Sequence, residues 1–510
     1  MPQRSFEHLT ITDQAVRQNL FCDDLPSRPD PAIGRILVTG ASGYIGGRLV
    51  PELLARGYRV RVTVRAHSPE YETKWPGAEI VVADALDEAS LRAALRGVDV
   101  AYYLIHSMLL GAGRFADADI KAASNFRRVA EEACVKRIIY LGGLGDVRTH
   151  LSAHLKSRME VAEELKRGAV PVTILRAAII IGSGSASYEI VKNLVKKIPI
   201  IAVPPAVGHK CQPIGVRDVI KYLVGVMETA ETSGRSFDIG GPDVLTYEDM
   251  MKTVADLLGK RRVFVRLPIL NLRTYAYVAS LLTPVPGPIT RSLMEGLRND
   301  VVCQDDSIRS LLPFSPLPYR DAIERAILRE EQDRVHTRWS DAYPPSHALE
   351  MRLDELLAGG APRYTASYSI ASAKDAASIF RAICRIGGKD GWFHRNWMWR
   401  LRGMVDRILL GVGSSRGRRH HGSLKVNDVI GFWRVEDIKE NRRLLLRSEM
   451  KLPGKAWLEF RIDDEAGARR LTVAAYYDTL SLAGSIYWYI FLPFHNSIFT
   501  GLIRQIERRS

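Results

Sequence analysis

Residues 34–50 read GRILVTGASGYIGGRLV. A short apolar run, Ile36–Val38, passes through Thr39 into a stretch with glycine at positions 40, 43 and 46, and an apolar helical pattern starts at once. A buried strand that runs straight into a helix needs glycine there. The chain turns tightly, and its backbone amides must stay open at the helix N-terminus, where an anionic diphosphate can approach them. Gly40, Ser42, Gly43, Tyr44, Ile45 and Gly46 are therefore expected to cradle the diphosphate of a dinucleotide. Glycine spacing alone is weak evidence. Here it sits between a strand and a helix, with a further strand at YRVRVTVR (58–65), and that context carries the assignment.

The alternation continues outward. AEIVVAD (78–84), VDVAYYLI (98–105), KRIIYLGG (136–143) and PVTILRAAIIIG (171–182) read as strands, with helical stretches such as EASLRAALRG and NFRRVAEEACV between them. β-branched runs joined by helices imply an α/β fold, a doubly wound parallel sheet covered on both faces. The chain divides into a polar arm (1–32), a nucleotide-binding domain (33–182), a substrate lobe with late elements of the same domain (183–330), a linker (331–363) and a separate domain (364–510).

The second strand ends VTVRAHS, with Arg65 where an acid would meet the ribose 2′-hydroxyl of NAD. A guanidinium there suits a 2′-phosphate instead. Arg48, two residues past Gly46, is expected to face the same pocket, and Asp84 and Ala85 to lie over the adenine edge. The expected cofactor is NADP(H) rather than NAD(H).

The net charge is +15, which calls for an anionic partner: nucleic acid, a membrane surface or a cofactor. Basic residues are spread along the chain, with local density at RGRRHH (416–421), and there is no zinc-finger or aromatic RNA-binding motif, so no nucleic-acid partner is expected. Five scattered cysteines without a C-x-x-C pair point to a reducing compartment, with neither a disulfide framework nor a metal site. The opening stretch has no apolar h-region, so no secretory signal is expected and the setting is read as cytoplasmic.

From 35 to 325 the chain resembles the extended, atypical branch of the short-chain dehydrogenase/reductase superfamily, similar to its NmrA-like and complex I accessory-subunit-like members. The resemblance rests on TGASGYIGG, VVADALD, AYYLIHS, IIYLGGLG, HLKSRMEVAEEL, PVTILRAAIIIG, CQPIGVRDV and FDIGGPDVLTYEDM in that order. It implies a Rossmann domain binding NAD(P) and a small substrate lobe. Catalytic members use Ser, Tyr and Lys. In this chain Gly142 or Gly143 stands in the serine region, His154 at the tyrosine position and Arg158 at the lysine position. His154 is able to donate a proton, and Arg158 to hold ribose hydroxyls and favour an oxyanion. His106 and Ser107 fall beside the expected nicotinamide site. Of Tyr102 and Tyr103, at most one can face it, and Asn125 reads as a structural hydrogen-bonder. Ala177 and Arg217 replace the proline and acid common in the family, which suggests a remodelled pocket.

Beyond residue 364, four strand-like runs, a preceding helix and a long apolar closing stretch resemble the START-like helix-grip architecture, an α+β domain around an apolar cavity. Trp433, Trp457, Phe460, Tyr476 and Tyr487 are candidates to line that cavity or simply to fill the core. Residues 482–503 are long and apolar enough to raise a membrane span, with burial the favoured reading. Residues 392–419, where Trp392, Trp397 and Trp399 lie among arginines, fit either peripheral contact with an anionic membrane or long arginines snorkelling beside a buried Trp face.

The favoured expectation is an NADP(H)-dependent oxidoreductase acting on a hydrophobic carbonyl-type substrate. The alternatives are a non-catalytic NADP(H)-binding redox sensor or assembly protein, and an epimerase or isomerase that recycles its cofactor.

Overall fold

The computed structural model describes residues 20–65, 70–106, 114–145, 152–204, 208–267, 271–331, 337–339, 353–387, 390–409, 411–413, 424–465 and 468–510. It forms two compact units, Met1–Leu272 with Ser292–Tyr343, and Arg273–Arg291 with Pro344–Ser510. Arg273–Arg291, read as substrate lobe, groups with the C-terminal unit, and the stretch read as linker is divided between the two units at Tyr343/Pro344.

The first unit is built on seven strands: β1 Arg35–Val38, β2 Arg59–Val64, β3 Glu79–Val82, β4 Val100–Tyr103, β5 Arg137–Gly143, β6 Val172–Ala177 and β7 Ser236–Ile239. They lie in the order β7-β6-β5-β4-β1-β2-β3, all neighbours parallel. Successive residues of β1 feed opposite cores, as a doubly wound sheet requires. Ile36 and Val38 pack with Leu49, Val50 and Leu53 of the helix Gly46–Ala55, while Leu37 packs with Phe126 and Val129 of the helix Arg114–Glu132. The chain winds outward from β1 to β3 and resumes on the other side at β4. The strand order therefore reverses between β1 and β4, and a crevice opens at their carboxyl ends.

The second unit carries six antiparallel strands: β8 Tyr364–Ser372, β9 Val429–Ile430, β10 Trp433–Lys439, β11 Arg443–Ser448, β12 Lys455–Glu465 and β13 Ala468–Asp478. Their order is β8-β13-β12-β11-β10-β9. The helix Leu482–Arg509 lies across this sheet, with Trp488 stacked on Tyr364 at 5.4 Å and Phe499 against Tyr368 at 5.9 Å between centroids. Among the described residues no helix is long and apolar enough to cross a membrane. Burial of Trp488, His495, Phe499, Leu502 and Ile503 accounts for part of the apolar run. The five cavity candidates do not share one face. Trp457 pairs with Tyr476 across β12 and β13 and packs with Leu353 and Leu445, whereas Phe460, three residues on, points to the opposite side of the sheet. A single cavity lined by all five is thus excluded by the strand period.

His495 is 7% exposed, its ring lies 5.1 Å from Trp488 and 5.2 Å from Phe499, and its Nδ1 has no partner. Burial pulls its pKa down to about 4. The unfolded chain protonates this residue near the ordinary value of about 6.5 and the folded one does not. Stability is therefore full above pH ~6.5 and falls as pH drops from there toward 4, by on the order of 3 kcal/mol. Urea unfolding of His495→Phe at pH 7 and pH 4.5, followed by tryptophan fluorescence, should show most of this acid sensitivity removed.

Candidate functional site

The crevice is assembled from the ends of β1 and β4. Thr39 joins them: its backbone N–H and its hydroxyl both donate to the Tyr102 carbonyl, at 3.0 and 2.9 Å, and its oxygen accepts from Leu104 N–H at 3.1 Å. Gly40 follows with φ +65°, and a Cβ there would stand 2.5 Å from the Leu104 carbonyl oxygen. A Cβ on Gly46 would meet the Gly40 carbonyl oxygen at 2.4 Å, and Gly43 N–H donates to that same carbonyl at 3.0 Å. Conformation and contact distance thus both demand glycine at the loop's ends. Among the described residues no protein acceptor meets the amides of Ser42, Tyr44 and Ile45. Those open amides at the N-terminus of the helix Gly46–Ala55 fit a diphosphate.

The remaining cofactor candidates divide. Arg65 is exposed immediately past β2, where a 2′-phosphate reader would stand. Ala83 N–H donates to the Val64 carbonyl at 2.9 Å, which brings Asp84 and Ala85 beside the end of that strand. Asp84 there accepts from Leu86 N–H at 2.9 Å, and the Ala85 carbonyl accepts from Asn125 Nδ2 at 3.1 Å, so Asn125 is a structural hydrogen-bonder. Arg48 is a correction. It is 6% exposed, its guanidinium donates to Ser183 O at 2.9 Å and to Thr337 Oγ1, and it stacks over Tyr44 at 4.4 Å. It fastens the loop to two distant segments and is not open to a ribose phosphate. Thr337, from the stretch read as linker, also donates to the Tyr44 carbonyl at 2.9 Å.

The catalytic candidates converge. His106 lies just past β4, His154 in the first turn of the helix Ala153–Lys166, and His106 Nε2 is 3.2 Å from His154 Nδ1. On its other side His106 Nδ1 stands 3.1 Å from Asp119 Oδ2. Asp119 is 3% exposed and its second oxygen has no partner among the described residues. The sequence reading missed it, because only the fold brings the helix Arg114–Glu132 back against the end of β4. A carboxylate that accepts Nδ1–H fixes the tautomer of neutral His106, whose Nε2 lone pair then accepts Nδ1–H from His154. The outer Nε2 of His154 has no protein partner among the described residues. Burial holds both imidazoles below the ordinary histidine range, His154 the further, with His106 and the Arg158 guanidinium adding to its shift.

Arg158, one helical turn beyond His154, lies over the Tyr140 ring at 5.6 Å and donates to the Leu141 carbonyl. A Cβ on Gly143 would approach Leu155 to 2.8 Å and the Arg158 Cδ to 3.4 Å, so the helix that carries the His/Arg pair packs where a serine side chain would need space. Neither tyrosine of β4 faces the crevice. Tyr102 is buried with its hydroxyl on the Leu223 carbonyl at 2.9 Å, and Tyr103 is buried against Phe126 and Tyr140. Ser107 lies outside the described residues.

A parallel sheet whose strand order reverses beside a glycine cradle defines a dinucleotide-binding α/β domain of the dehydrogenase/reductase type. The chain belongs to the NmrA-like family, which it matches over residues 33–296, an atypical, NAD(P)-dependent reductase family of that type. Residues 358–502 match a second family, described as a protein of unknown function (DUF2867). The chain is 27% identical over 295 residues to the mitochondrial NADH dehydrogenase [ubiquinone] 1 alpha subcomplex subunit 9 of Arabidopsis thaliana, covering 53% of this chain and 71% of that one. It is 26% identical over 250 residues to the chloroplastic divinyl chlorophyllide a 8-vinyl-reductase of Zea mays, covering 46% of this chain and 62% of the relative. With the (4-alkanoyl-5-oxo-2,5-dihydrofuran-3-yl)methyl phosphate reductase of Streptomyces griseus it shares 25% identity over 301 residues, 56% of this chain and 95% of that enzyme.

Proposed function

We propose that the protein is a cytoplasmic NADP(H)-dependent oxidoreductase that interconverts a hydrophobic carbonyl compound and its alcohol. The observation that carries this reading is the Asp119–His106–His154 chain, which ends in an imidazole nitrogen open for proton exchange beside the β1/β4 crevice. The loop at Gly40–Gly46 binds the diphosphate, and Arg65 reads the 2′-phosphate. The nicotinamide supplies or accepts the hydride.

The protein's own residues move the proton. In the reductive direction the chain carries one extra proton, held on His106 between Asp119 and His154. His154 gives its Nε2 proton to the substrate oxygen and takes the proton of His106 Nε2 at its own Nδ1. The pair ends neutral, with His106 Nδ1–H still on Asp119. In the oxidative direction the same steps run backward, and the bare Nε2 of His154 takes the alcohol proton. Arg158 steadies the negative charge that develops on the substrate oxygen. The C-terminal unit binds the lipophilic molecule.

Cofactor oxidation measured against hydrophobic ketones, aldehydes and quinones tests the reading, with turnover expected. Arg65→Ala should weaken NADPH binding about 10-fold or more and leave NADH binding unchanged. The absence of the Ser/Tyr/Lys set favours a second reading, a non-catalytic NADP(H)-binding protein. Tight NADPH binding with no turnover on any substrate of the panel would select it.

A further inference from the structure

We propose that three helices of the C-terminal unit form a docking face for an anionic lipid bilayer, an inference independent of the redox chemistry above. The helix Asn396–Ile408 is amphipathic with its faces reversed. Trp397, Leu401, Met404, Val405 and Ile408 recur at i, i+4, i+7, i+8 and i+11 and are 46–61% exposed. Its one acid and its last arginine turn inward: Asp406 accepts from Lys451 N–H at 2.8 Å and Gly413 N–H at 2.7 Å, and Arg407 donates to the Ser280 carbonyl at 2.8 Å, whereas Arg400 is exposed. A helix that buries its only carboxylate and exposes an apolar stripe has that stripe for something outside the unit.

The first half of the helix Leu482–Arg509 does the same on its outer side. Leu482, Ile486, Tyr489, Ile490 and Phe494 are 46–78% exposed, while Trp488 and His495 hold the sheet. The two stripes are neighbours, because Arg402 donates to the Tyr487 hydroxyl and lies 5.7 Å from both the Tyr487 and Phe491 rings. The helix Leu272–Leu282 joins them through Tyr277, whose hydroxyl donates to the Ile408 carbonyl at 3.2 Å, and Tyr277 and Val278 are themselves exposed. Exposed apolar side chains gathered on three helices in mutual contact exceed the scattered exposure of an ordinary monomer.

Charge chooses the occupant. Residues 272–282, 396–409 and 480–506 contain one carboxylate, Asp406, and it is buried, whereas Arg273, Arg395 and Arg400 are exposed. An apolar face with aromatic side chains and arginines but no exposed acid complements anionic headgroups above an acyl layer. Because no described helix can cross a bilayer, the face lies on the membrane rather than through it.

The test is co-sedimentation of the full chain with vesicles of phosphatidylcholine alone and of phosphatidylcholine with one-third phosphatidylglycerol. Binding to the anionic vesicles should be at least 10-fold tighter and should weaken as salt is raised. Trp397→Glu with Ile490→Glu should lower it at least 10-fold while the circular dichroism melt is retained. Arg395→Glu with Arg400→Glu, which leaves the apolar stripe intact, should abolish only the preference for anionic vesicles. Equal binding to both compositions would overturn the proposal. So would no vesicle binding together with a dimer that the Trp397/Ile490 pair converts to monomer, an outcome that assigns the face to a second copy of the chain.

Discussion

His154→Ala is expected to lower kcat for carbonyl reduction at least about 100-fold while the dissociation constant for NADPH stays within about twofold. Among the described residues the outer nitrogen of His154 is the one ring nitrogen of the Asp119–His106–His154 chain without a protein partner, so its removal ends proton delivery. The phosphate loop lies on other residues and is untouched. His106→Phe and Asp119→Asn leave the His154 ring in place and remove the groups that store the extra proton and polarise that ring, and their losses should be smaller, near 10-fold. The pH dependence follows from the sign of the shifts. Burial keeps both histidines deprotonated below the ordinary titration range, so near pH 7 both imidazoles are neutral and His154 Nε2 is a base. Alcohol oxidation should therefore hold its plateau at neutral pH and decline only as the medium becomes acidic. Carbonyl reduction needs the protonated chain and should accelerate as pH falls below 7. Asp119→Asn removes the carboxylate that favours protonated His106, and it should move both profiles to lower pH. A histidine that served only packing would change neither profile.

Gly46→Ala is expected to raise the dissociation constant for the dinucleotide at least 10-fold and to destabilise the first unit by about 1–3 kcal/mol. The added Cβ would stand 2.4 Å from the Gly40 carbonyl oxygen and 2.8 Å from Ala41 Cα, both backbone atoms that cannot rotate away. Relief requires the loop to move, and the loop is held at its far end by Gly40, whose own Cβ would strike the Leu104 carbonyl. The amides of Ser42, Tyr44 and Ile45 would leave their common orientation. Fluorescence titration with NADPH and a thermal melt read the two effects separately. Gly57→Ala is the control: its site is open, its φ of +85° gives strain alone, and it should cost stability without affecting the cofactor.

Glycine made the loop readable in the sequence, because few other causes place it at 40, 43 and 46 between a strand and a helix. His154 and Arg158 were candidates through the family resemblance, which matches them to its tyrosine and lysine positions, and His106 through its place at the end of the fourth strand-like run. Asp119 was not: it closes the relay through a helix face whose orientation depends on packing against β4 and β5. Arg48 misled for a related reason. Its place near the loop is local, but its partners Ser183 and Thr337 lie 135 and 289 residues away and bury it. For Tyr102 and Tyr103 the alternation was right and the conclusion incomplete, since helices cover both faces of a doubly wound sheet and neither ring reaches the crevice. The C-terminal arginine- and tryptophan-rich stretch showed its amphipathic period, yet only the structure shows that Asp406 and Arg407 point inward and Trp397 and Met404 outward.

The account rests on a dinucleotide held at the amides of Ser42, Tyr44 and Ile45, with Arg65 choosing its phosphorylated form. Isothermal titration calorimetry of the full chain with NADPH and with NADH tests this most directly. One NADPH per chain, bound about 10-fold or more tightly than NADH, is the predicted result. A folded protein that takes up neither nucleotide, or that prefers NADH, would contradict it.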